Sequence, residues 1–150
     1  MGIVVDKLLK EDVRPVVVDD CVQLVDDEVA AKKGLSGKMI RVGYKAFIKI
    51  KPGIVKKAVE HLLDDFAGVL DRHYEEYEKA DPDRGEAFSA WAARRDSRIA
   101  DDLLKITDDI IARSDKGAIK KIYKSLRGTA QRNVAEAVPR VGDLVARHVG

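Results

Sequence analysis

The sequence predicts an all-α fold: a single-domain helical bundle over residues 1–150, built from two similar three-helix halves. Three observations carry that expectation. Proline and glycine punctuate the chain into segments of helical length, in which apolar residues recur every three or four positions and period-2 alternation is hardly seen. Aromatic residues make up only 5%, which argues against a sandwich or barrel. Charged residues reach 36%, with Lys+Arg 28 set against Asp+Glu 26. Dense, nearly balanced charge is the mark of a laced helical surface, whereas a nucleic-acid module carries a larger basic excess. With 150 residues, 45% of them hydrophobic, the chain is long enough to bury a core.

The elements follow in order. A short element over Ile3–Leu9 precedes a long helix from about Val13 to Lys33, with Asp12 as its expected N-cap and Pro15 tolerated in the first turn. Gly34 supplies a stop, and Ser36 a cap for a shorter helix ending near Lys49. Lys51-Pro52 opens the next helix, which extends to about Lys79. Asp81-Pro82-Asp83 is a break, and Asp83 with Glu86 has the spacing of a capping box ahead of Phe88 and Trp91. A helix ending near Arg113, one from Ser114 to Arg127 and one from Thr129 to His148 complete the set. Pro139 is expected to kink the last.

The stretch DDCVQLVDD (Asp19–Asp27) returns as DDLLKITDD (Asp101–Asp109), an offset of 82 residues that also pairs Ala30 with Ala112. After a three-residue gap, an offset of 79 pairs Ile40, Tyr44, Lys45, Val55 and Ala58 with Ile119, Tyr123, Lys124, Val134 and Ala137. The matches predict repeat halves over about 12–70 and 96–149, joined by 71–95. Two units are too few for an open solenoid, so they should pack as halves of one core around a pseudo-two-fold axis. The competing explanation is that amphipathic helices resemble one another by composition alone.

The runs GLSGKMIRVGYKA, KIKPGIVKKAVEHLL and IYKSLRGTAQRNVAEAVPRV resemble a family of small, uncharacterised actinobacterial proteins along nearly the whole chain. The resemblance implies a helical fold and a bacterial cytosolic setting. It implies no activity and no functional residues.

Eight duplicated aspartates invite a metal or acid–base site, and helical phase decides against it. At about 100° per residue, Val17, Cys21, Leu24 and Val25 share one arc of the first long helix, and Asp19, Asp20, Asp26 and Asp27 the opposite one. Asp101, Asp102, Asp108 and Asp109 likewise oppose Ile99, Leu103, Ile106 and Ile110. Carboxylates that do chemistry in a bundle point into its core beside Glu-x-x-His pairs, and the sequence contains no such pair. A glycine-centred Ca²⁺ loop is absent too. The aspartates are therefore expected to form solvated faces. No catalytic, cofactor-binding or metal-ligating residue is assigned.

The basic residues form better-defined stripes. Arg41, Lys45 and Lys49 follow an i, i+4, i+8 row, as do Lys116, Lys120 and Lys124. Placed side by side, the stripes would make a polyanion-binding surface, with Arg41, Lys45, Lys49, Lys120 and Lys124 as the anion-binding candidates. Tyr44 and Tyr123 lie beside them, as base stacking would require. The plainer expectation is that the stripes pair with the aspartate-rich helices or are solvated, with the tyrosines packing at the core edge.

His61, His73 and His148 lack ligand spacing. Cys21 lies in the apolar arc as an inert thiol, and a lone cysteine excludes an internal disulfide. GLSG (Gly34–Gly37) is a helix stop and restart, not a phosphate loop. Glu28 alone breaks the apolar arc of its helix, and either marks a pocket or pairs with Lys32. Phe88 and Trp91 are expected to pack over the core.

No apolar run approaches the roughly 20 residues of a membrane span, and MGIVVDKLLKED lacks the layout of a secretory signal. A cytoplasmic location without membrane insertion is expected. The functional expectation is a non-catalytic interaction or scaffold protein with a protein partner and no cofactor. The alternatives are an anion-binding module for nucleic acid or a phosphorylated ligand, and a carrier enclosing a small apolar ligand between its halves. An enzyme is the least favoured reading.

Overall fold

The computed structural model describes residues 2–80 and 85–150. Seven α-helices and no strand occur among them: α1 (Ile3–Leu8), α2 (Arg14–Ala31), α3 (Gly34–Ile50), α4 (Ile54–Ala80), α5 (Phe88–Ala93), α6 (Asp96–Ala112) and α7 (Gly117–Val149). The expected break at Asp81-Pro82-Asp83, and the capping box that begins at Asp83, lie outside the described residues.

Departures from the expected boundaries have local causes. Asp12 does not cap α2. The N–H groups of Val13 and Arg14 both donate to the Lys10 carbonyl, at 2.9 and 2.8 Å, so the preceding turn winds straight into the helix. Helix α3 begins at Gly34, which leaves Ser36 inside the helix instead of at its cap. The expected break at Gly128-Thr129 does not occur, and α7 runs unbroken through Pro139 to Val149. The equivalent junction between α3 and α4 is broken because Gly53 adopts a left-handed φ of 80°, a conformation open to glycine at little cost. Gly128 adopts no such conformation, so the i→i−4 ladder carries on.

The tightly packed core draws on one part each of α2, α4, α6 and α7. Val17 and Val18 come from the start of α2, Leu63 to Tyr77 from the later part of α4, Ile99 and Leu103 from the start of α6, and Val138, Leu144 and Val145 from the end of α7. Phe88 and Trp91 of α5 close over it, each 3% exposed, as expected. The Phe88 ring lies 4.9 Å from Tyr74 and 5.3 Å from Tyr77, tilted or edge-on as aromatic quadrupoles prefer. Helix α1 has only six residues, too few to persist alone. It is held by buried Val4 and Leu8, and by the Val4 N–H donating to Oδ1 of buried Asp71 at 2.8 Å. A carboxylate from α4 thus does for α1 what an N-cap side chain does elsewhere.

Helix α5 lies directly on α7 at Gly142, where a Cβ would stand 2.7 Å from the Ser89 Cα. Away from this contact the packing changes character. Among the described residues, no hydrophobic side chain between positions 19 and 62, or between 105 and 134, is buried.

Gly142→Ala should therefore lower stability by about 1–3 kcal/mol, although alanine is the better helix former by about 1 kcal/mol. Gly43→Ala, on the exposed side of α3 with nothing within 4 Å of the new methyl, should raise it by about 0.5–1 kcal/mol. Urea titrations of both variants followed by circular dichroism check the pair. Equal stability for Gly142→Ala and wild type would contradict the close approach.

Candidate functional site

Apolar side chains at the edge of the tight core and beyond it line a cleft of about 660 Å³ between α2, α4 and α7. Helix α2 contributes Cys21, Leu24, Val25 and Val29; α4 contributes Ile54, Val55, Ala58, Val59, Leu62 and Phe66; α7 contributes Val134, Ala137, Val141 and Leu144. Leu8 of α1, Ile40 of α3 and Leu103 of α6 add to the walls. The α2 contributors are the helical stripe that periodicity marks as apolar, and this stripe borders the cleft while Cys21 and Leu24 also pack against the core. Among the described residues, Glu28, Lys32, Thr129 and Asn133 bring the charged and hydrogen-bonding groups of the lining. The volume lies in the ~300–1,000 Å³ range of small-molecule sites, which combine apolar walls with few polar groups.

The charged side chains are connected to one another. Lys32, 8% exposed, donates from Nζ to Glu28 Oε1 at 3.3 Å and to Glu136 Oε2 at 2.8 Å. Glu28 takes Arg140 Nε on its other oxygen at 2.8 Å. Both expectations for Glu28 are met, since it lines the cleft and pairs with Lys32. The turn after α2 sets the position of Lys32. Arg41 donates to the Lys32 carbonyl, and a Cβ on Gly37 would stand 2.6 Å from the Lys32 carbonyl carbon. GLSG is thus the stop and restart that lets α3 close against the end of α2. Burial, with Asp20 adding to it, pushes the Cys21 thiol up to about 11.

The aspartates do more than face solvent, which corrects the expectation for them. Tyr44 donates to Asp26 at 2.7 Å and so ties α3 to α2. Tyr123 donates to Asp108 at 2.6 Å, and Arg127 bridges Asp108 at 2.8 Å and Asp101 at 3.0 Å, tying α7 to α6. His73 Nε2 lies 2.8 Å from Asp102, and His148 Nε2 lies 2.7 Å from Asp20. The Arg127 hydrogen bond, aided by Tyr123, holds the Asp108 carboxyl below its ordinary range. Burial first, then the hydrogen bond to Asp26, raises Tyr44. These are latches between helices, because each carboxylate meets a donor from a different helix. Among the described residues, no group of three or more His, Cys, Asp or Glu is placed to hold a metal ion.

Of the five anion-binding candidates, Arg41 is half-buried at the α2–α3 turn. Lys45 and Lys49 are exposed on α3, and Lys120 and Lys124 are exposed on α7. These four lysines make no salt bridge among the described residues. The stripes therefore do not pair with the aspartate-rich helices. Tyr44 and Tyr123, read as possible base stackers, direct their hydroxyls to aspartates instead. The cleft itself and the roles of Glu136 and Arg140 are not readable from the chain, where the only signal was Glu28 within an apolar arc.

Two predictions follow from these contacts. A carboxyl whose pKa falls on folding stabilises the fold above its ordinary value of 3.8, and that contribution fades as pH drops through the lower folded value. Asp108→Asn should cost about 1 kcal/mol at neutral pH, a modest figure because Asp108 is 37% exposed. The deficit should hold down to about pH 4 and shrink below it, as thermal melts across the pH series would reveal. For Cys21, a rise from 9.0 to about 11 means about a hundredfold less thiolate at pH 8. Alkylation by iodoacetamide should be slowed correspondingly in the folded chain and return to the ordinary rate in urea.

Residues 4–149 match the model of a family of unknown function, DUF6918. No curated protein and no solved structure matches the chain.

Proposed function

The chain belongs to this family of unknown function, so its activity has to be read from its own geometry, and we propose that it is a non-catalytic binder of an elongated amphipathic molecule. The observation that carries this reading is the 660 Å³ apolar cleft with its charge confined to one cluster. Burial of an alkyl chain there gains about 0.8 kcal/mol per methylene, so chain length sets affinity and the head group sets orientation. A carboxylate head suits the cluster. Lys32 is nearly buried, while its partner Glu136 is 62% exposed and can swing into water as a ligand carboxylate takes its place. The exchange leaves no buried charge unpaired, which is the condition for a low cost. Enclosure by three helices favours this small ligand over the protein partner expected from the sequence, since protein interfaces are broader and flatter.

The two-halves architecture belongs to the same proposal. Tyr44–Asp26 and Tyr123–Asp108 are equivalent contacts under the 79- and 82-residue offsets. Those offsets also relate cleft-lining residues to one another: Cys21 to Leu103, Ile54 to Asn133, Val55 to Val134, Ala58 to Ala137 and Leu62 to Val141. On this reading the cleft lies on the pseudo-two-fold axis between matched walls. Glu28 and Lys32 have Ile110 and Ser114 as counterparts, so only one side is charged. A ligand with one polar end fits such a site better than a symmetric one.

Titration with cis-parinaric acid, followed by its own fluorescence, tests the reading. Saturable one-to-one binding is expected. Ala58→Trp, which fills the cleft from an exposed position, should weaken it by about tenfold or more, a loss of about 1.4 kcal/mol. Glu136→Gln, which frees Lys32, should favour the acid over its methyl ester. The absence of saturable binding, or an Ala58→Trp variant that binds as wild type does, would sink the proposal.

A further inference from the structure

The charge of this protein is segregated in a way its net value conceals. Residues 29–59 hold nine basic and no acidic residues, and residues 116–135 hold six basic and no acidic ones. The rest of the chain carries 13 basic residues against 26 acidic. Exposed apolar side chains gather in the same two segments, which hold seven of the nine large hydrophobic residues exposed among those described. On α3 these are Leu35, Met39, Val42 and Ile50, between 60% and 79% exposed; on α7 they are Ile119, Ile122 and Leu126.

We propose that α3 docks the molecule on an anionic lipid surface. Helical phase supports this most directly on α3. Leu35, Met39, Val42 and Ile50 fall within an arc of about 80°, on the side opposite Tyr44, which faces α2. Lys38, Lys45 and Lys49 run along one edge of that arc. An apolar strip edged by lysines is the design of a helix lying in the plane of a membrane interface, with its side chains in the acyl boundary and its ammonium groups reaching up to lipid phosphates. The lysines are available, since Lys45 and Lys49 make no salt bridge among the described residues. Charge complementarity requires a negative occupant, and the exposed Leu, Met and Ile side chains require one with an apolar interior. A nucleic acid meets only the first condition, because its readers use cations and stacking aromatics. Among the described residues no helix is long and apolar enough to cross a membrane, so the contact proposed is an interfacial one. The inference rests on the surface of α3 and not on occupancy of the cleft, although Ile40 of the same helix lines that cleft.

Co-flotation of the full chain with vesicles decides the matter. Binding is expected to vesicles in which about a third of the lipid is phosphatidylglycerol, to weaken steeply with salt, and to be absent with pure phosphatidylcholine. Val42→Glu and Lys45→Glu alter exposed positions, and each should lower partitioning by about tenfold or more, with melting temperature and cis-parinaric acid binding unchanged. No flotation with the anionic vesicles would overturn the proposal, as would equal flotation with both compositions. Undiminished vesicle binding by Val42→Glu, or salt-sensitive DNA binding without vesicle binding, would equally overturn it. Should Val42→Glu dissociate a wild-type dimer that ignores vesicles, the face belongs to a second copy and the proposal fails. Loss of cis-parinaric acid binding alone bears on the cleft and leaves this docking surface standing.

Discussion

Helices share a dense core only where their backbones come close, and in this protein that place is the crossing of α5 and α7 at Gly142. The missing side chain lets Ser89 approach to a distance no Cβ would permit. Phe88 and Trp91 are thereby pressed onto Tyr74 and Tyr77, while the adjoining ends of α2, α4, α6 and α7 close around them. Interiors at this density transmit small displacements, so a single methyl at the crossing is felt throughout the cluster. The rest of the molecule is built outward from this consolidated end.

Farther from the crossing, apolar burial no longer holds the helices, and polar latches do. Helix α3 is tied to α2 by Tyr44–Asp26 and by Arg41 on the Lys32 carbonyl, and the first half of α7 is tied to α6 by Tyr123 and Arg127 on Asp101 and Asp108. Such bonds fix direction at modest net energy. They position each helix without filling the space beside it, which is why the apolar faces of α2, α4 and α7 can stand apart around a cleft. An apolar face held open in water is under constant free-energy pressure to be covered. The same polar-latched region carries the acid-free basic segments and most of the exposed hydrophobic side chains. The ligand proposed for the cleft and the lipid surface proposed for α3 would each satisfy this same physical deficit.

Much of the secondary structure was legible because its signals are local. Lys51-Pro52 marks the junction of α3 and α4 wherever the chain goes next, and the apolar periodicity of α2 identifies its stripe correctly. Errors arose where a neighbour decided. The turn at Lys10 takes over the start of α2 from Asp12, and Gly128-Thr129 is no junction because the backbone there stays helical. The phase of the aspartates was right while their environment was wrong, since Tyr44, Tyr123 and Arg127 arrive from other helices.

By itself the sequence determined an all-α chain, the faces its helices present, the segregation of its charge and the anomaly of Glu28 in an apolar stripe. Only the tertiary structure decided that the α2 stripe borders a cleft, that Lys32 joins Glu28 to Glu136, and that four stripe lysines make no salt bridge among the described residues. Periodicity reports which side of a helix is apolar, a property of neighbours along the chain. Whether two apolar sides meet depends on the distance between helices, which is set by contacts such as Gly142–Ser89 between residues far apart in sequence.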